Sequence, residues 1–560
     1  MTAAGLDRVT LEIIGGKLHA IADEMAIVLS RTAMSPVIYE VLDFACGLCD
    51  AEGQLIAQSN GITLFTGTFG AQLRTIIETF DGTMAPGDVF MTNDPYAGGT
   101  HTADMALVRP VFVEGRVIAY AMAVAHWTEV GGAVAGSLPP DATEIYQEGL
   151  RLPGIRLCRE DRFVEGVIEI ITANVRLPKN CLGDLNAELA AVRTADSRLA
   201  ETARRYGVEQ VLRCFQHMLD SSERQSRAGL VALPDGVYRA RDFIDGDGNS
   251  EDQIPIEVAV TIAGETIAFD FTGCAAQRAA PVNCTHGALL SAVKTVFKAL
   301  IAPQAPSNDG WFRPITVTIP DGTVFSAQPP APVGWYYEGS AQASELVWKA
   351  LAPLAPERFS AGSYMSLCAT YICGRDGESG ETFVHIEPQH GGWGATPARD
   401  GASALIAITD GDTYNYSVEL LESKLPVRLR SYRLNTDDGS GAGRHRGGFG
   451  CVREYEILAD GAFTYGSFGR SVERPWGAEG GAPGTPNYLE IERDGDKRRY
   501  SRISRVDLRT GDVIRVVTGG GGGHGDPALR PRESVEADLR DGYIAPETAQ
   551  RLYGIGGGGQ

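Results

Sequence analysis

The sequence predicts an α+β protein, with a mixed helix-and-hairpin N-terminal lobe followed by a β-rich C-terminal half. Three observations carry this reading. Between residues 9 and 34, Ile14, Leu18, Ile21, Met25 and Val28 recur at alternating spacings of four and three, the stripe of an amphipathic helix. Between Met105 and Val124, two apolar runs are separated only by Glu114-Gly115 and its flanks, which reads as a β-hairpin. Beyond residue 236 the apolar period changes to two, and glycines cluster after residue 430, as expected of short strands joined by tight turns.

Taken in order, the first helix is stopped by Pro36. The run Val41 to Cys49, the turn Asp50 to Gly53 and the run Gln54 to Gln58 read as a second hairpin. Residues 137–158 read as loop. Residues 181–227 read as two helices broken at Gly207, lined by Leu182, Leu185, Leu189 and Val192, then by Val211, Phe215, Met218 and Leu219. Ala228 to Gly236 marks a domain boundary. Ile254 to Ile262 alternate as a strand, Ile267 to Phe271 return, and a helix runs from His286 to Ala302. Short strands such as Arg453 to Leu458 and Asp512 to Val517 precede a last amphipathic helix over Glu533 to Tyr553. The expected division is 1–230 for the lobe that carries the hairpin, 231–355 for an α+β middle region, and 356–560 for the glycine-rich, β-rich remainder.

At 560 residues the chain exceeds what one core organises. Its formal net charge of −21 argues against nucleic acid as a partner. No signal peptide pattern opens the chain and no apolar stretch is long enough to span a membrane, so a cytoplasmic location is expected. The ten cysteines then read as free thiols, with Cys46-Gly-Leu-Cys49 the one spacing that admits a redox pair.

The chemistry concentrates in residues 93–132. His101-x-x-Asp104 lies at the open end of the hairpin that also ends in His126. A two-residue turn at Glu114-Gly115 pairs Val113 with Arg116, Ala103 with His126 and Asp104 with Ala125. Opposed residues in a sheet lie about 5 Å apart, close enough to share a ligand. Strand alternation then places Asp104 on the face opposite His101 and His126, so the site closes only if residues 98–104 are loop, which Gly98-Gly99 favours. Two imidazoles and a carboxylate suit a Zn²⁺, Mn²⁺ or Fe²⁺ ion. Asp43, a carboxylate inside an apolar run, needs a partner of its own: a metal ion, or a main-chain hydrogen bond.

Other motifs are weaker. There is no G-x-S-x-G elbow and no P-loop. Gly520-x-Gly522-x-x-Gly525 is followed by Asp526-Pro527 instead of a helix, so it reads as a glycine turn, with anion binding near His524 as the alternative. His385, Glu387 and His390 lie near Gly391-Gly392-Trp393-Gly394 as a candidate pocket lining.

The stretch N-D-P-Y-x-G-G-T-H-x-x-D at 93–104 resembles the signature of the hydantoinase B/oxoprolinase family. So do Asp43-Phe44 with Cys49-Asp50-x-x-Gly53, Ile145 to Leu150, Asp270 to Gly273, Pro281 to Asn283, Arg446 to Gly448, Pro475 to Gly477 and Gly519 to Pro527. The resemblance implies a B-type subunit that works with an A-type ATPase subunit, ATP and Mg²⁺ being handled by that partner in a hetero-oligomer. It implies a divalent metal, zinc or manganese, on Asp43, His101, Asp104 and His126. Where the family commonly reads H-H-A-D-V-G-G, this chain has His126-Trp127-Thr128-Glu129-Val130-Gly131-Gly132.

The expected function is ATP-dependent hydrolysis of a cyclic amide (a hydantoin, lactam or 5-oxoproline-like ring). The metal would act as Lewis acid, and Glu129 or Asp94 as general base. The alternatives are a subunit of an ATP-dependent ketone carboxylase, favoured by Trp127 as an apolar wall, and a scaffold whose metal is structural.

Overall fold

The computed structural model describes residues 7–248, 252–377 and 380–555. The first helix, Arg8–Thr32, is capped by the Asp7 carboxylate. It buries Ile14, Leu18, Ile21, Met25 and Leu29, so the stripe closes on Leu29 while Val28 lies only partly buried. Pro36 opens a separate turn, Pro36–Tyr39.

A seven-stranded antiparallel sheet organises the first part of the chain. Its strands are β1 (Phe44–Asp50), β2 (Leu55–Gln58), β3 (Val89–Thr92), β4 (Asp104–Val113), β5 (Arg116–His126), β6 (Ile155–Arg159) and β7 (Arg162–Phe163), in the order β2-β1-β5-β4-β3-β6-β7. β6 begins within the stretch read as loop. The sequence reading assigns neither β3 nor the helix Thr63–Phe80 to an element. That helix buries Phe65, Phe69, Leu73 and Ile76 and leaves Arg74, Glu78 and Thr79 exposed.

The sheet is covered on both faces. Phe44, Cys46, Leu48, Met105, Leu107, Ala121 and Ala123 pack on the first helix and on the helix Pro178–Tyr206. Ala45, Ala106, Val108, Met122 and Val124 face the other way, into a core cluster that continues through the rest of the chain to Val516. Cys46 and Cys49 fall in different clusters, and all ten cysteines are buried free thiols, so the C-x-x-C spacing is no redox pair.

A second helix after the break at Gly207, Val208–Val231, leads to a four-stranded sheet of Gly236–Ile244, Ile254–Ala263, Thr266–Asp270 and Ile315–Thr318. Its last strand lies parallel to the third, joined through the helix His286–Ile301. A further helix, Tyr336–Leu351, is buried almost throughout. Two more sheets, of four and five strands, form the C-terminal half. The last two helices among the described residues are Arg532–Arg540 and Pro546–Tyr553, with Asp541-Gly542 and Pro546 dividing what the periodicity joined.

The glycine run is neither a turn nor an anion site. The N–H groups of Gly521, Gly522 and Gly523 donate to the carbonyls of Gly448, Gly362 and Ala482, and those of Gly519 and Gly520 to Asn487 and Thr485 side chains. Extended glycine segments pack against one another so closely that a Cβ on Gly521 would lie 2.1 Å from the Trp393 carbonyl oxygen. No helix among the described residues is long and apolar enough to cross a membrane.

Candidate metal centre

The pairing of three strands assembles the site. β4 and β5 begin in the expected register, Val113 opposite Arg116 and Phe112 opposite Val117, but a bulge follows and Val111 faces Ala119. From there on Asp104 pairs with His126, not with Ala125. This corrects the sequence register and removes its parity conflict, because directly opposed residues share a face. The bulge adjoins Pro110, which has no N–H to donate; a proline in an interior strand is itself a bulge signal. On the far side of β5, Phe44 pairs with Ala125, and the His126 N–H donates to the Asp43 carbonyl (3.0 Å). Asp43, His126 and Asp104 therefore form a row across three neighbouring strands, on the face that looks into the main core. His101 joins them from the irregular segment before β4, which turns at Gly98 with φ 95°.

His101 Nε2, His126 Nδ1 and Asp104 Oδ1 converge: the imidazole nitrogens lie 2.9 and 3.0 Å from the carboxylate oxygen and 3.1 Å from each other. All three residues are buried. Ligand atoms about 2.0–2.2 Å from a zinc ion are themselves roughly 3–3.5 Å apart, so the trio has the spacing of a ligand set. The His101 Nδ1 lies 2.9 Å from the Gly334 carbonyl, which can only accept. That contact fixes the tautomer and leaves Nε2 as a bare lone pair. That lone pair, His126 Nδ1 and the Asp104 carboxylate lie within 3.1 Å of one another, and these residues fit a cation.

Asp43 lines the same cavity; burial pushes its carboxyl well up, eased by His126. A third carboxylate there, Asp410, is raised to about 6 by burial and accepts a hydrogen bond from Thr413 (2.7 Å). Nothing in the sequence marks it, because it arrives from a loop far beyond His126 in the chain. The cavity is about 30 Å³, room for an ion and one or two waters. Tyr336, Tyr337 and Tyr371 wall it together with apolar side chains.

Glu129 and Asp94 are not brought to this cavity. Glu129 is fully buried and saturated: it pairs with Arg176 (2.6 Å) and accepts from the N–H groups of Gly131 and Arg176. Asp94 caps the turn Pro95–Ala97 through the Tyr96 N–H and lies 3.6 Å from Arg151. Trp127 does not wall the site either. It packs in the cluster behind the sheet, where its indole N–H donates to Glu188 (2.9 Å). His385 and Glu387 are buried beside the cavity, whose lining takes Ile386 and Pro388 instead; Arg453 and Tyr455 hold Glu387, and His390 turns to Asn415.

One residue escapes the sequence reading although it lies in a family motif. Glu148, in the segment Ile145 to Leu150, is buried and accepts hydrogen bonds from the N–H groups of Val333 and Gly334 (3.0 and 2.7 Å). It thereby holds the carbonyl that orients His101.

Known proteins resemble this chain over nearly its full length. The beta subunit of the caprolactamase of Pseudomonas jessenii is 32% identical over 98% of this chain and 96% of its own. A protein of Pseudomonas sp. strain NS671, named as the B component of a D-/L-hydantoinase, is also 32% identical, over 98% of this chain and 95% of its own. The crystal structure of the ATP-dependent caprolactamase from P. jessenii superposes with a TM-score of 0.92 at 30% identity, covering 99% of this chain and 98% of that one. Acetone carboxylase shares the fold, with a TM-score of 0.91 at 19% identity over 98% of this chain and 80% of that one. The family model for hydantoinase B/oxoprolinase matches residues 7–527, and the chain belongs to that family.

Proposed function

We propose that this chain is the metal-bearing B-type subunit of an ATP-dependent enzyme that opens cyclic amides, acting with an A-type ATPase subunit in a hetero-oligomer. The convergence of His101 Nε2, His126 Nδ1 and Asp104 Oδ1 carries the proposal. Relatives named as one component of a larger enzyme, and a caprolactamase described as ATP-dependent, support the partnership. So does the lack of a P-loop motif in this sequence.

The triad would hold a zinc or manganese ion, with Asp43 as fourth ligand or as hydrogen-bond partner. Such an ion supplies Lewis acidity and lowers the pKa of water at the site. The chain's residues supply the setting. Gly334, held by Glu148, keeps His101 in the ligating tautomer, and the buried position of the trio keeps bulk water away. An amide carbon is a poor electrophile. Phosphorylation of its oxygen by the partner's ATP changes that. Addition of water to this carbon, with cleavage of the C–N bond, gives an amino acyl phosphate. Hydrolysis of the latter releases the amino acid and phosphate.

The test is reconstitution with the A-type subunit, ATP and metal, offering lactams and hydantoins, then ketones with labelled bicarbonate. ATP-dependent ring opening that is lost in His101→Ala is expected. Label fixed into an acid-stable product, with no ring opening, would replace the proposal by the carboxylase. Retained metal content in His101→Ala would remove the ligand assignment.

A further inference from the structure

A second cavity, of about 560 Å³, shares no wall residue with the one at His101, Asp104 and His126. It lies where the strand Gly236–Ile244, the helix Tyr336–Leu351 and the strands Phe463–Ser467 and Arg502–Asp507 meet, and its size suits a small molecule. Its charged wall residues are Asp245, Glu338 and Arg502. The Arg502 guanidinium donates through Nε to the Ser467 hydroxyl (3.0 Å), and its Nη1 is buried with no partner among the described residues. Burial pushes this group below its ordinary range, while Glu338, Asp247 and Asp245 act the other way; it feels these carboxylates without forming an ion pair among the described residues. The two carboxylates of the wall are held by other donors. Glu338 accepts from the Ser366 hydroxyl (2.6 Å) and the Gly469 N–H (3.2 Å), and Asp245 from the N–H groups of Ser471, Val472 and Glu473. Arg470, which also acts on Asp245, is taken up by Asp242 and Glu345. A buried guanidinium is stable when it closes onto a carboxylate, because an unpaired buried charge is expensive. Here opposite charges face one cavity and are kept apart by their own hydrogen bonds, so a molecule that carries both signs would complete each of them.

We propose that this cavity binds a small zwitterionic amino acid, its carboxylate on Arg502 and its ammonium group on Glu338 and Asp245. Both contacts are charge-assisted hydrogen bonds, roughly twice as strong as neutral ones. The ligand class follows from the wall alone. Only the source of the ligand rests on the proposed function, since opening a lactam releases an amino acid of this kind.

Calorimetric titration of the full chain tests this, at pH 8, where Glu338, pushed up to about 7, is ionised. The probes are 4-aminobutyrate and 6-aminohexanoate, each beside the acid and the amine of the same length that carry one charge only. At least one zwitterion should bind about 10-fold or more tightly than both of its analogues. Arg502→Gln should remove its advantage over the amine, and Glu338→Gln should cut its advantage over the acid. The second variant, neutral and of the same shape, keeps the test open if the first does not fold. The proposal is overturned if neither zwitterion binds, or if an analogue binds as tightly. Preference for the acid alone would make the cavity an anion site and overturn it too. So would wild-type selectivity in both variants, which would move the binding elsewhere. A reconstituted complex that opens no lactam would end the proposed function and leave these titrations to decide the cavity.

Discussion

Glu129 shows how a side chain's surroundings decide its role. Its spacing from His126 makes it a candidate general base, yet every acceptor position it has is directed at Arg176, Gly131 or Ser137. A carboxylate so engaged holds a loop; it is not free to take a proton. Glu129→Gln should lower stability by about 1–3 kcal/mol, since Arg176 keeps part of its exposure and water replaces some of the lost pairing. Zinc uptake should be unchanged. Thermal melts with elemental analysis check both, and loss of zinc without loss of stability would return Glu129 to the site. His101, Asp104 and His126 are legible in the sequence because they lie within 26 consecutive residues, on one hairpin and the loop that precedes it. Asp410 and the Glu148-to-Gly334 contact are not. Each joins segments far apart in the chain, and no local period reports such a meeting.

At the scale of elements, amphipathic pieces declare themselves and buried ones do not. The first helix and the strand Ile254–Ala263 have one wet face, so their period is visible. The helix Tyr336–Leu351 is buried nearly all round, and its sequence carries no stripe to read. The register of β4 on β5 falls one residue from the simple hairpin count because of the bulge, which Pro110 marks. The glycine segments are the opposite case: their composition is conspicuous and its meaning is not. Turns need glycine for positive φ, whereas here glycine permits backbones to touch. Gly521→Ala should therefore be strongly destabilising, by about 3 kcal/mol or more, because its Cβ meets main chain that cannot move aside. Gly16→Ala, inside the first helix with nothing within 4 Å of its Cβ, should stabilise by about 0.5–1 kcal/mol. Urea unfolding of both variants measures the contrast. A tolerated Gly521→Ala would mean that the segments do not pack this closely.

For the molecule as a whole, one core cluster runs from Val41 to Val516, and the cavity at His101, Asp104 and His126 takes its wall from residues 43–126, 336–337 and 367–410. Buried carboxyl groups away from that cavity then tie overall stability to pH. Glu338 packs at the start of the helix Tyr336–Leu351, where burial pushes its carboxyl up to about 7; the Ser366 hydroxyl (2.6 Å) and the Gly469 N–H (3.2 Å) offset part of that. In the unfolded chain the same group titrates near 4.5. Between those values the folded protein keeps a proton that the unfolded chain has released. The sign follows: stability is greatest below about 4.5, falls as pH rises toward 7, and levels off above it. The drop from this one residue is at most about 3 kcal/mol, at 1.36 kcal/mol per unit. Glu148, raised to about 8, adds a fall of the same sign that extends about one unit higher. Repulsion within a chain of net charge −21 also grows with pH, so the wild-type slope alone does not identify its source. Glu338→Gln does, because the amide has no proton to lose. Urea midpoints at pH 5, 6, 7 and 8 should show the wild type falling relative to the variant as pH rises, with the variant's curve the flatter of the two from pH 5 to 7. Parallel curves across that window would show that Glu338 titrates near its ordinary value, and that its burial in the folded protein is relieved by water.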